Sequence, residues 1–403
     1  MLIGFDASRA FVFEATGTEN YSLNLLHALA EVDRKNQYRV YLRGQSSRAL
    51  TMNNWPRNFE FKVIRPNRLW TQVGLALETW REPVDLLFVP AHTLPVFRNP
   101  RIKTVVTIHD LGVEYLPGYH QFPQRYYLDF ASRYAARHAD AIIAVSAATK
   151  RDLINRYGVE GEKVFVVHEG VDRSFFRPRS AKEIKNVKIK YQIDGNYILF
   201  VGTIQPRKNL QMLIKVFSLL VGSRESVVGR IQKSTNYKLP ATNFVIAGKL
   251  GWDYDEILAL PKKLGIASRV KFLGHVPDAD LPALYSGAVV FAFPSLFEGF
   301  GLPILEALSC GCPVVASDIG PHREIFKKIS RNSEFTSFKE FVVPMILVKP
   351  TDVDKWVNVL YQYISQYKKR FSFGNINSAL EREFSWYNTA KETLEVFKKV
   401  HLG

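Results

Sequence analysis

The segment Pro294-Ser-Leu-Phe-Glu298-Gly-Phe-Gly301-Leu-Pro303-Ile-Leu-Glu306 gathers two carboxylates around a glycine-rich turn. The apolar run before it reads as a strand, and Pro303 stands where a helix begins. Proline is tolerated there because the first amides of a helix have no partner inside it. Gly299 and Gly301 let the backbone approach a ligand closely. Amides around Phe300, Gly301 and Leu302 then face outward at the positive end of the helix dipole, an arrangement that receives a pyrophosphate. Glu298 lies in the loop and Glu306 about one turn inside the helix, so one acid can meet a sugar and the other a ribose. A glycine-rich helix start alone marks only a tight turn; the flanking acids make that the weaker reading.

A second strand end carries Arg207 and Lys208, within Val201-Gly-Thr-Ile-Gln-Pro-Arg-Lys. Two cations there can neutralise charge developing on a departing diphosphate, a service otherwise given by a metal. The competing reading is a solvated basic turn ahead of the next helix. His109 ends an apolar strand, which favours a hydrogen bond to sugar or phosphate over a purely structural place. Asp278-Ala-Asp280 has the look of a metal-binding pair. It follows Pro277 and precedes Leu281-Pro282-Ala-Leu-Tyr285, so it reads as a helix start favoured by the dipole. No metal and no cofactor is expected.

These residues require strand ends to hold them, and short apolar runs do alternate with helical patterns, the signature of a parallel sheet with crossover helices. In the first half the expected strands are Leu2–Asp6, Tyr38–Leu42, Phe59–Ile64, Leu86–Pro90, Thr104–His109, Ala141–Val145 and Val164–His168. Expected helices are Thr18–Glu31, Leu69–Trp80, Pro123–His138 and Ala147–Tyr157. The pattern breaks at Gly170–Lys190, where Pro178 and a charged stretch intervene. A second series follows: Tyr197–Val201, Asn243–Ala247, Val270–Leu273, Val289–Phe293 and Pro313–Ser317. Gly222–Thr242 reads as a surface insertion, and Trp386–Val400 has helical spacing. In doubly wound sheets ligands bind beyond the carboxyl ends of the strands.

A chain of 403 residues is too long for one ordinary core, and 47% hydrophobic with 23% charged residues is a globular composition. The longest apolar stretch, Ala288–Phe293, falls far short of the roughly 20 residues that cross a bilayer. The start has no basic region or cleavage site, so a cytoplasmic protein is expected. Cys310 and Cys312, with no second ligand pair, read as reduced buried thiols rather than a zinc site. The net charge of +16 fits a partner bearing phosphates. Its local clusters, Lys182–Lys190 and Lys368–Arg370, are not interleaved with aromatics, and no helix-turn-helix or zinc pattern appears. That speaks against nucleic acid and leaves a solvated surface or a membrane-facing patch.

The span Glu298–Glu306 resembles the E-x7-E motif of the family-4 retaining glycosyltransferases, and the resemblance covers nearly the whole chain. Val201–Leu210 is similar to the family's element carrying a phosphate-binding Arg and Lys. Lys271-Phe-Leu-Gly274-His-Val276 resembles the strand end that holds the base, and Thr107-Ile-His109-Asp110-Leu the element presenting a histidine to the donor sugar. Ala15-Thr16-Gly17-Thr18-Glu19-Asn20 resembles the family's glycine loop, whose amides approach the donor phosphate or the acceptor, although Glu19-Asn20-Tyr21 stands where small or basic residues are common. Phe384-Ser-Trp386 resembles the start of the tail helix.

The resemblance implies an α/β protein of two Rossmann-like doubly wound domains facing across a cleft (GT-B), nearest the mannosyltransferase-like branch. Residues 1–176 would bind the acceptor and 177–385 the nucleotide sugar, with 386–403 a helix returning to the first domain and closure about Phe176–Ser180 assembling the site. Gly17, Arg207, Lys208, Val276, Gly299, Phe300, Gly301, Leu302 and Glu306 would bind the donor, while His109 and Glu298 would be catalytic. It implies retaining, metal-independent transfer from a nucleotide sugar, GDP-mannose before UDP-sugars, to a glycan or lipid-linked saccharide at the inner membrane face, with peripheral association with anionic lipid. The rivals are a same-fold epimerase, a phosphorylase (for which no pyridoxal-bearing lysine is marked), a basic nucleic-acid-binding protein and an inactive relative.

Overall fold

The structure, a computed structural model, describes residues 1–12, 17–44, 55–111, 124–222, 242–330, 343–366 and 374–402. Internal contacts divide the chain into two units, Met1–Gly170 with Phe384–Gly403, and Val171–Glu383. The borders expected from the sequence are 176/177 and 385/386. The earlier border has a local cause. A Cβ on Gly170 would lie 2.3 Å from the Trp386 amide nitrogen, so only glycine lets the two backbones meet. The Thr389 hydroxyl adds a bond to the His168 carbonyl at 2.8 Å, which ties this stretch to the first unit.

The first unit holds a seven-stranded sheet: β1 (Leu2–Asp6), β2 (Gln37–Arg43), β3 (Phe59–Ile64), β4 (Leu86–Val89), β5 (Lys103–Ile108), β6 (Ala141–Ala144) and β7 (Val164–Val166). The order is β3-β2-β1-β4-β5-β6-β7, with parallel pairing. Strands such as Leu86-Leu-Phe-Val and Ala141-Ile-Ile-Ala are buried throughout, as their unbroken apolar runs require when helices cover both faces. The helix Trp386–Leu402 belongs to this unit. It packs along the helix Gly17–Val32 and sets Phe397 against Phe88 at 5.0 Å.

The second unit holds six parallel strands: β8 (Asn196–Val201), β9 (Thr242–Ala247), β10 (Val270–Gly274), β11 (Val290–Phe293), β12 (Val314–Ser317) and β13 (Met345–Val348), in the order β10-β9-β8-β11-β12-β13. Both sheets reverse their winding direction once, between β1 and β4 and between β8 and β11. Such switch points leave a crevice at the carboxyl ends of the strands.

Three expectations are corrected. The charged break at Gly170–Lys190 contains a helix, Ala181–Lys190, started by a capping box. Ser180 Oγ accepts from the Glu183 amide, and the Glu183 carboxylate accepts from the Ser180 amide at 2.8 Å. The signal Ser-x-x-Glu was present in the sequence, masked by the lysines behind it. The helix expected at Leu69–Trp80 is a π turn, Trp70–Leu75, followed by Ala76–Arg81, with Leu69 in the left-handed region at φ 53°. His109 does not end β5 but follows it, because pairing with β6 stops at Ile108. β13 had no counterpart in the expected strands. The insertion 223–241, the cluster Lys368–Arg370, Pro123, Ala15 and Thr16 lie outside the described residues.

Candidate active site

The switch between β8 and β11 places two loops side by side. After β8 the chain makes a short turn, Pro206–Lys208, and Asn209 adopts the left-handed conformation at φ 56° before the helix Leu210–Leu220. The Asn209 side chain donates to the Pro294 and Pro350 carbonyls at 3.2 and 3.0 Å, and the Leu296 amide donates to the Arg207 carbonyl at 2.9 Å. The loop after β8 is thereby bound to the loop after β11 through the backbone.

This lacing brings charges together that lie 90 residues apart in the chain. Lys208 Nζ donates to Glu298 Oε1 at 2.5 Å, and an Arg207 guanidinium nitrogen stands 4.0 Å from Glu298 Oε2. The Lys208 ammonium also lies 5.0 Å from the centre of the Phe293 ring. All three charged side chains are largely buried. Burial pushes the Glu298 carboxyl up, but Lys208 and Arg207 more than offset this and hold it at about 2. The cluster is therefore a fully ionised, two-to-one arrangement of cations and anion.

The glycine loop leads from Glu298 into the helix Leu302–Ser309. Gly301 caps it at φ 126°, a conformation L side chains rarely adopt, and Pro303 is its second residue. Phe300 is buried, which fixes the loop. Glu306, on this helix, accepts from the Tyr285 hydroxyl at 2.9 Å. Burial pushes its carboxyl up to about 7, against the lowering effect of that hydrogen bond. Val276 is buried just beyond the carboxyl end of β10, whose last residue, Gly274, has φ 68°.

His322 is a member the sequence reading missed. Its ring lies beneath Gly301, where a Cβ would come within 3.2 Å of His322 Cδ2. Nδ1 donates to the Ser317 carbonyl at 2.8 Å, which leaves Nε2 as a buried acceptor with no partner among the described residues. Burial drives the ring down to about 4, so it is neutral at pH 7. Asking which polar residues follow β12 could have found it, since Ser317-Asp-Ile-Gly-Pro-His322 is such a strand end.

The first unit holds His109 and Gly17. Both imidazole nitrogens of His109 are engaged: Nε2 donates to the Pro90 carbonyl at 3.1 Å and Nδ1 faces a Glu169 oxygen at 3.0 Å. The Tyr21 ring stands edge-on to it at 4.7 Å. Gly17 is the exposed first residue of its helix, and a Cβ there would meet nothing within 4 Å. The packing of the described residues does not require glycine at that point. Asp278 and Asp280 form a short turn before the helix Leu281–Gly287, and Asp280 is taken up by Lys190 and Tyr191 at 2.5 and 2.6 Å. Cys310 and Cys312 are both free and buried, and burial pushes both thiols far up.

Two family models account for most of the chain: "Glycosyltransferase Family 4" over residues 15–175 and "Glycosyl transferases group 1" over residues 181–378. Among curated proteins, O-antigen chain mannosyltransferase B of Escherichia coli is 30% identical over 298 residues, 73% of this chain and 70% of that protein. The chain belongs to the family-4 glycosyltransferases. The serotype-specific mannosyltransferase WbdA of Escherichia coli is 29% identical to this transferase over 325 residues, 77% of this chain but 34% of its own length. Among solved structures, HepE of Anabaena, crystallised with UDP and glucose, matches 99% of the transferase and 100% of its own chain at 20% identity, with a TM-score of 0.70. That likeness establishes the two-Rossmann GT-B architecture. No helix of the transferase among the described residues is long and apolar enough to cross a membrane.

Proposed function

We propose that this glycosyltransferase moves a mannosyl group from GDP-mannose to a hydroxyl of a glycan or lipid-linked saccharide, with retention and without a metal. The observation that carries the reading is the buried Arg207–Lys208–Glu298 cluster beside a glycine-capped helix start. In the free protein Glu298 is the counter-ion of two cations. When the diphosphate arrives, the cations gain phosphate oxygens as partners and the Glu298 carboxylate turns to the sugar hydroxyls. Arg207, Lys208 and the amides of the 299–302 loop take the charge that develops on the leaving diphosphate, which is where preorganised donors lower a barrier most. Glu306 accepts from the ribose hydroxyls, Val276 packs on the base and His109 meets the donor sugar after Nε2 leaves the Pro90 carbonyl. Gly17 admits a phosphate or acceptor close to the backbone.

The bond from the anomeric carbon to the leaving phosphate breaks as the acceptor oxygen attacks from the same face. The acceptor proton passes to that phosphate oxygen, leaving GDP and the new glycoside. With Glu298 engaged by the sugar hydroxyls, no carboxylate of the cluster is assigned to the anomeric carbon, which favours this route over a covalent sugar–Glu298 intermediate. The relatives named as mannosyltransferases support mannose, and a UDP-sugar is the second choice. An acceptor carried on lipid, together with the +16 charge, supports peripheral association with an anionic membrane. Calorimetric titration with GDP, UDP and ADP in the presence of EDTA tests the donor and the metal together. GDP binding alone, undiminished by the chelator, is expected; binding only on adding a divalent ion would overturn the metal-free part.

A further inference from the structure

The helical segment that follows β3 in the first unit turns large apolar side chains to solvent. Leu69 is 69% exposed, Val73 36%, Leu77 47% and Trp80 56%. These positions recur every three or four residues, on the side away from the buried Trp70, Gly74, Leu75 and Thr79. Phe97, 80% exposed, is fixed next to them, because the Trp80 indole donates to the Phe97 carbonyl at 3.0 Å. The mounting is firm. The Gln72 side chain bonds the Leu94 carbonyl at 3.2 Å and the Val96 amide at 3.0 Å, and the Thr79 hydroxyl accepts from the Asn99 amide at 2.9 Å. Folded single chains rarely keep so many large apolar groups together on a rigid surface without a use for them.

The surroundings name the partner. Arg65, Arg68, Arg81 and Arg101 are exposed along this segment and the neighbouring strap, and none is paired with an acid among the described residues. The nearby acids are occupied: Glu78 is buried and held by Lys62 at 2.5 Å, and Glu82 is held by Lys62 at 2.6 Å and Arg39 at 3.4 Å. An apolar stripe with aromatic members and a rim of free guanidinium groups matches the boundary between lipid headgroups and acyl chains. Two copies placed face to face would instead bring their cationic rims together.

We infer that this face docks the protein on an anionic bilayer, with Leu77, Trp80 and Phe97 entering below the phosphates and the arginines meeting them. The inference deepens the proposed lipid-linked acceptor but rests on residues outside the donor site. β3 delivers the segment from its carboxyl end, the edge of the first sheet that also carries His109, so docking would hold that edge near the lipid surface.

The test is flotation of the full chain with phosphatidylcholine vesicles, with and without phosphatidylglycerol. Wild-type protein is expected to float with the anionic vesicles and only weakly with the neutral ones. The double variant Leu77→Ser/Phe97→Ser should bind them at least about tenfold more weakly, with an unchanged melting temperature and unchanged GDP affinity. Arg68→Ser/Arg81→Ser should lose the preference for anionic lipid. Quenching of tryptophan fluorescence by brominated lipid should largely disappear in Trp80→Phe. Equal flotation of wild type and Leu77→Ser/Phe97→Ser overturns the inference. So does a wild-type dimer, abolished by that double variant, that ignores vesicles, for the face would then belong to a second copy. Vesicle binding by a protein that ignores GDP would leave the docking face standing while removing the donor reading.

Discussion

Lys208 illustrates how a buried charge can be held ready for a ligand that is itself charged. Its ammonium has the Glu298 carboxylate on one side and the Phe293 ring on the other, so the cost of removing it from water is offset before any nucleotide binds. Lys208→Ala leaves Glu298 with the more distant Arg207 as its cation among the described residues. A loss of about 3 kcal/mol in stability and of roughly a hundredfold or more in transfer rate is expected, read by chemical denaturation and initial rates. Glu298→Gln should lower the transfer rate by at least about tenfold while GDP still binds; an undiminished rate would contradict the role given to this side chain. Glu306 supplies a pH test. Folded, its carboxyl keeps its proton up to about 7, whereas an unperturbed one loses it near 4.5. The folded state therefore binds more protons in that window, and stability from this group falls as pH rises through it. Glu306→Gln should gain in melting temperature over the wild type as pH is raised from 5 to 8. For Glu298 the direction is opposite: its contribution is present above about 4.5 and is lost as pH falls toward about 2.

At the scale of elements, the two loops at the β8/β11 switch depend on backbone conformations that few residues accept. Gly301 combines φ 126° with His322 pressed beneath it, so a methyl group there meets both strain and a buried ring. Gly301→Ala should destabilise the protein by about 1–3 kcal/mol and weaken GDP binding, because the loop amides move. Gly17→Ala is the contrasting case. Among the described residues nothing fills the space, so melting should be unchanged, and any loss of transfer would report a ligand approaching that point. The helix Ala181–Lys190 tests a local device: Ser180→Ala removes one half of its capping box and should cost about 1 kcal/mol, measured by thermal melting, without altering GDP affinity.

At the scale of the whole molecule, the tail helix and the first sheet form one structure although they lie at opposite ends of the chain. The helix Trp386–Leu402 buries Ala390, Leu394, Val396 and Phe397 in the first unit, and at Gly170 the backbone passes so near its start that a Cβ would lie 2.3 Å from the Trp386 nitrogen. Gly170→Ala should displace the Trp386 backbone and lower the melting temperature by several degrees. GDP affinity should be unchanged, since the diphosphate cluster lies in the second unit. Reduced GDP affinity in this variant would show that the second unit does not hold the donor by itself.

The sequence by itself determined what is local. Unbroken Val, Ile, Leu and Phe runs announced buried parallel strands, and Glu298, Gly299, Gly301 and Glu306 announced a strand, a tight turn and a helix start, because periodicity and backbone permissiveness are properties of neighbouring residues. Local signals can still be hidden, as at Ser180–Glu183, where a lysine-rich face obscured a capping box. The tertiary structure alone decided which strand ends adjoin. Only the order β8-β11-β12 sets Arg207 and Lys208 against Glu298, puts Tyr285 on Glu306 and slides His322 under Gly301. It also showed His109 with both nitrogens already bonded and a stripe of apolar residues left facing water. Those facts depend on how distant segments close on one another, and spacing along the chain does not encode the hydrogen-bond partner or the exposure that results.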